Sequence, residues 1–199
     1  MAIGARVAGD EEWMLEDLAW RYAMMSELQI WLFSIGFLAF GGVMAALLHR
    51  GTAVLNRAPY FALTALVTLG IALGQMIWLQ GGQAMLHGWL SALIGLEAGF
   101  SLAAGYAMVV LGQARSRDAL GHGRAGILSL VPLANLWLLF TPGQEPSRAD
   151  PVIALLRGGM GVTVGVALML LARGLSAGLE PMITERVEQV TEDPAHAAT

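Results

Sequence analysis

The chain has 199 residues, 56% of them hydrophobic and 13% charged, with mean hydropathy +0.63, where a soluble domain of this size carries about 25% charge. That composition excludes an ordinary water-soluble enzyme. With no cysteine and with every one of its eleven basic residues an Arg, the chain has no disulfides, thiolate zinc sites, iron–sulfur clusters, cysteine nucleophiles, Schiff-base lysines or P-loop lysines.

In chain order, residues 1–26 form an acidic segment. Residues 10–25 read as an interfacial helix, with Trp13, Trp20 and Met24 on one side and Glu12 and Asp17 on the other. A spanning helix needs about 20 mostly apolar residues. Residues 28–48, 59–79 and 89–111 meet that requirement between polar flanks. The first is too long for a signal h-region, so it is expected to stay as an anchor. A fourth segment, 125–140, is about 24 Å long as a helix and contains Pro132 and Asn135. A fifth, 152–172, holds Arg157 in its second turn, where the side chain must reach back to the interface. Residues 173–199 form an acidic polar tail. The expected fold is an all-α, polytopic membrane bundle over 27–172 with five transmembrane helices, or four plus a re-entrant hairpin if 125–140 turns back.

Arg50 and Arg57 lie between the first two spans and Arg115, Arg117 and Arg124 follow the third, while residues 80–88 contain no Arg. By the positive-inside rule the arginine-bearing loops face the cytoplasm and the N-terminus is outside. The two arrangements of 125–140 place equal numbers of arginines on each side, so the rule does not orient the C-terminus.

Glu97 is the one acidic side chain well inside a span, where a carboxylate costs several kcal/mol unless paired or protonated. Depth matching brings Gln75 near it, with Ser101 and Thr68 as further neighbours. The group reads either as a proton or cation site, or as a protonated Glu97 hydrogen-bonded to Gln75 that fixes helix packing. His49, His87, His122 and His196 are too far apart along the spans for a haem pair. Gly70 and Gly74, Gly95 and Gly99, Gly161 and Gly165, and Gly174 and Gly178 have GxxxG spacing, expected to allow tight packing of the second and third spans around Glu97. Arg115, Arg117, Asp118 and Arg124 belong to a cytoplasmic polar loop that lacks a Walker pattern. The net charge of −4 and the lack of any other basic stripe disfavour nucleic acid.

From Arg117-Asp118-Ala119 through Gly123-Arg124-Ala125-Gly126, Leu130-Val131-Pro132-Leu133-Ala134-Asn135-Leu136 and Pro142-Gly143 to Asp150-Pro151, the chain resembles the YhaH-type bacterial inner-membrane family of unknown function. The likeness covers 115–151, and Arg117 stands where that family usually has His. The resemblance implies a cytoplasmic polar loop leading into a membrane helix, and brings no catalytic residue. The sequence therefore leads us to expect a non-catalytic accessory or assembly subunit of a larger bacterial inner-membrane complex, without cofactor or metal, in contact with lipid and other integral membrane subunits. The alternative is a small transporter or proton- or cation-conducting protein that uses Glu97.

Overall fold

A computed structural model describes residues 17–19, 21–22, 24–143 and 151–192. The interfacial helix expected over 10–25 lies mostly outside these residues; within it, 17–19 and 21–22 are helical. All regular structure among the described residues is helical: α1 (Glu27–Leu48), α2 (Arg57–Gln75), a 3-10 turn (Met76–Gln80), α3 (Gly81–His87), α4 (Leu90–Leu120), a 3-10 segment (Gly123–Leu130), α5 (Pro132–Phe140), α6 (Pro151–Leu155) and α7 (Gly158–Glu192).

Local chemistry sets the boundaries. The Gln29 side chain accepts from the Ser26 N–H at 2.9 Å and opens α1 with half of a capping box. Gly88 at φ 71° and Gly121 at φ 75° close α3 and α4 in the left-handed conformation that only glycine adopts freely. Pro132 sits in the first turn of α5, where its missing N–H leaves no bond unmade, and Val131 before it is extended, as a residue preceding proline prefers.

Among the described residues, four helices are long and apolar enough to cross a membrane: Leu28–Leu48, Arg57–His87, Leu90–Leu120 and Gly158–Ile183. The fourth sequence segment, 125–140, is not a fifth. Proline and the extended Val131 divide it, and the nine residues of α5 rise about 14 Å. The last span also differs from expectation, since Arg157 lies in the break before α7 rather than in a second turn.

The spans stand in an open row, α1–α4–α2–α7. α4 packs against both α1 and α2, and α7 packs against α2, while among the described residues no comparable seam joins α1 to α2 or α7, or α4 to α7. Register fixes the directions. Ser34 meets Glu97 and Gly42 faces Val109, so α1 and α4 are parallel. Gly161 lies at Ala58 and Ser176 at Gln75, so α2 and α7 are parallel as well. Tyr60 shares a cluster with Ala114 and Gly74 faces Phe100, so the central α2–α4 seam is antiparallel.

The remaining segment fills one side of the row at the end where Arg50, Arg57, Arg117, Arg124 and Arg157 gather. The 3-10 segment climbs along α4 until the Ser129 hydroxyl donates to the Met108 carbonyl at 2.8 Å. α5 then descends, burying Leu138 among Leu55, Tyr60, Ala114 and Ala119 and returning Gly143 to the side of Asp118. Ten residues of α4 separate Met108 from Asp118, so the hairpin runs about 15 Å along α4 and returns to the end at which it began.

Candidate functional site

Two polar constellations lie between the spans. The first centres on Glu97, about two turns into α4. Its Oε1 accepts from Ser34 Oγ of α1 at 3.0 Å, and its Oε2 accepts from the Tyr22 hydroxyl at 3.1 Å. Tyr22 comes from the segment before α1 and is 5% exposed. Its ring meets Phe33 edge-on at 5.3 Å and stacks on Trp78 at 6.2 Å, while Phe33 meets Phe37 at 5.1 Å. The rings of Tyr22, Phe33 and Phe37, with Ser34, Ser101 and Glu97, line a cavity of about one water molecule's size. Beside it, Ala19 joins Ala84, Leu90 and Leu93 in an apolar cluster that holds the segment across the span ends. Burial, and then the neighbouring Glu97 carboxylate, push the Tyr22 phenol above its ordinary range, so it remains a hydrogen-bond donor.

Of the four residues expected together, the structure joins Glu97 and Ser101 and separates the other two. Gln75 accepts from Ser176 of α7 at 3.1 Å, and Thr68 bonds back to the Thr64 carbonyl at 3.0 Å. The sequence estimate matched depth along α2 and α4 but not azimuth. The face of α4 that carries Glu97 turns to α1, whereas α2 meets the face with Phe100. Tyr22 and Ser34, the actual partners, were not anticipated. Ser34 is a hydroxyl inside an otherwise apolar run, and that was the available signal.

The glycine pairs are corrected in the same way. Gly70, Gly95, Gly99, Gly174 and Gly178 have no atom within 4 Å of where a Cβ would stand. Close approach comes instead from Gly41, against the Leu102 carbonyl, and Gly105, against the Leu38 carbonyl. Among the expected pairs, Gly161 and Gly165 do lie at a seam, facing Ala58 and Phe61 of α2.

The second constellation lies where a polar loop was expected. Arg115, Arg117 and Asp118 are not in a loop, because α4 continues to Leu120. Arg115 is 0% exposed and Asp118 2%. The Arg115 guanidinium pairs with Asp118, donates to the Leu138 carbonyl at 3.1 Å and the Leu139 carbonyl at 3.4 Å, and also reaches the Thr141 carbonyl. It thereby supplies donors and positive charge to the carbonyls that close α5, at the negative end of that helix. The Tyr60 hydroxyl donates to Asn135 of α5, one turn before Leu138, Ser116 donates to the His122 carbonyl, and Arg117 donates to the Ala53 carbonyl at 3.2 Å. Arg124 is exposed. The i,i+3 spacing of Arg115 and Asp118 was the sequence's sign of pairing, though not of burial.

His49 lies 6.5 Å from the Tyr106 ring, and the His87 ring nitrogen meets the Gln83 carbonyl at 2.9 Å. Among the described residues no three His, Cys, Asp or Glu side chains converge as metal ligands.

Helices and sites together define the class: an all-helical chain with four helices of membrane-spanning length and hydropathy, braced by polar contacts between them. No family model, curated protein or solved structure matches the chain.

Proposed function

We propose that this is a non-catalytic integral protein of a bacterial inner membrane, with four spans and a re-entrant hairpin, that acts as an accessory or assembly subunit beside other membrane subunits. The observation that supports it best is the open row. α1 and α7 each pack against a single neighbouring span, so their remaining apolar flanks, including Trp31, Ile35 and Phe40 on α1 and Val162, Val166 and Leu170 on α7, are offered sideways. The polar groups between the spans fasten one helix to the next rather than lining a path. Glu97 holds α1, Gln75 holds α7 and Asn135 holds α2. The arginine end faces the cytoplasm in this reading, which leaves both chain termini outside. Native mass spectrometry of the protein extracted in mild detergent tests it. A stoichiometric complex with a different integral membrane protein is expected, and a bare monomer or a homo-oligomer alone would reject the role.

A second reading, a small transporter or proton- or cation-conducting protein, is favoured by the carboxylate of Glu97 at the wall of a cavity within the spans. Proton- or Na+-driven flux into liposomes that disappears in Glu97→Gln would establish it. Flux equal to that of empty liposomes would remove it.

A further inference from the structure

The lining of the Glu97 cavity has a chemistry that helix packing alone does not require. Its polar atoms are all oxygens: the two carboxylate oxygens, the hydroxyls of Ser34 and Tyr22 that donate to them, and the Ser101 hydroxyl. Each donating hydroxyl keeps lone pairs that its bond to Glu97 makes more negative, and oxygen sets of this kind suit hard cations. Phe33, Phe37, Ile94 and Ala98 complete the wall with apolar surface that keeps bulk water out. Glu97 is the single acidic residue between Glu27 and Asp118. One negative charge neutralises one monovalent ion, whereas a divalent ion would leave net charge among apolar helices, where it is strongly disfavoured. The cavity's size admits a dehydrated ion or a water and no organic cation.

We propose that the pocket formed by Glu97, Ser34, Ser101 and Tyr22 binds one small monovalent cation, Na+ by size. Tyr22, delivered by the segment before α1, closes the pocket, so ion binding and docking of that segment support each other. The proposal deepens the second reading above in naming the ion, but binding does not require transport.

The test is thermal unfolding of the purified full chain in detergent at pH 8, titrated with NaCl against choline chloride at constant ionic strength. A saturable, Na+-specific rise in Tm is expected. Glu97→Gln should abolish the rise, and Ser34→Ala and Ser101→Ala should each raise the midpoint several-fold. If Glu97→Gln cannot be purified, the two serine variants decide, and unchanged midpoints in both overturn the site. Equal effects of choline and Na+, a Na+ effect that persists in Glu97→Gln, or a tighter Glu97-dependent response to Ca2+ would overturn it too. Na+-specific stabilisation without flux into liposomes leaves the site standing and removes only the transport reading.

Discussion

Arg115 shows how much a single buried charge can organise. It has no exposed surface, and its guanidinium is divided between Asp118 on its own helix and the terminal carbonyls of α5. Lysine presents no planar fork and cannot reproduce that division. Arg115→Ala leaves Asp118 without its guanidinium and strips the end of α5 of donors, and breaking a buried pair from one side costs about 3–5 kcal/mol. A large fall in thermal stability is expected, with new protease cleavage in the hairpin, and Arg115→Lys should recover only part of it; a change within the error of the measurement would show that the hairpin is held by other contacts. Tyr60→Phe removes a smaller term. A double-mutant cycle between Tyr60→Phe and Asn135→Leu should return a coupling of about 0.6 kcal/mol, the average for such bonds in membranes, and zero coupling would mean that the hydroxyl contact contributes nothing. The sequence displayed Arg115 and Asp118 as loop charges because topology alone explains an arginine at that end. Their burial depends on the hairpin that covers them, which no spacing in 115–124 encodes.

At the scale of elements, the parallel α1–α4 pair rests on two glycines that bring each helix against a carbonyl of the other. A larger residue at Gly41 or Gly105 must push the backbones apart. Gly105→Leu should destabilise by at least the 1–3 kcal/mol typical of overpacking, while Gly95→Ala on the open face of the same helix should leave Tm unchanged or slightly raised, because alanine favours helix. Equal losses in the two variants would contradict the seam. Hydropathy marked the apolar centres of all four long helices, since the length of an apolar run is a local property, but it also offered 125–140 as a fifth and missed how far the second, third and last continue. Which glycines touch is not local: GxxxG spacing marked Gly95 and Gly99, yet the contact is made by Gly41 of α1 and by Gly105, six residues beyond Gly99 on α4. The short segment 125–140 was ambiguous for a related reason. Its composition suits burial, and burial against α4 and lipid look alike in sequence; Pro132 and Val131 mark the break but not the direction taken after it.

For the whole molecule, the four-span topology proposed above, having an even number of crossings, would put both termini on one side. The chain contains no cysteine, so single cysteines introduced near residue 24 and near residue 185 can be labelled against a silent background. Both are expected to react with an impermeant thiol reagent from the outer face, and a cysteine at Arg124 from the inner face alone; opposite sidedness of the first two would require a fifth crossing and refute the hairpin. The row also imposes an order in time. α1 and α2 are consecutive in the chain, yet in the finished protein α4 stands between them. If the spans enter a bilayer in chain order during synthesis, the first two have no seam to form until the third stands between them and presents Glu97 to one and Phe100 to the other. The hairpin, with Arg115 already placed on α4, can close only after that. A chain interrupted before residue 90 therefore holds two spans without a shared interface, which is the state a membrane chaperone or protease would meet.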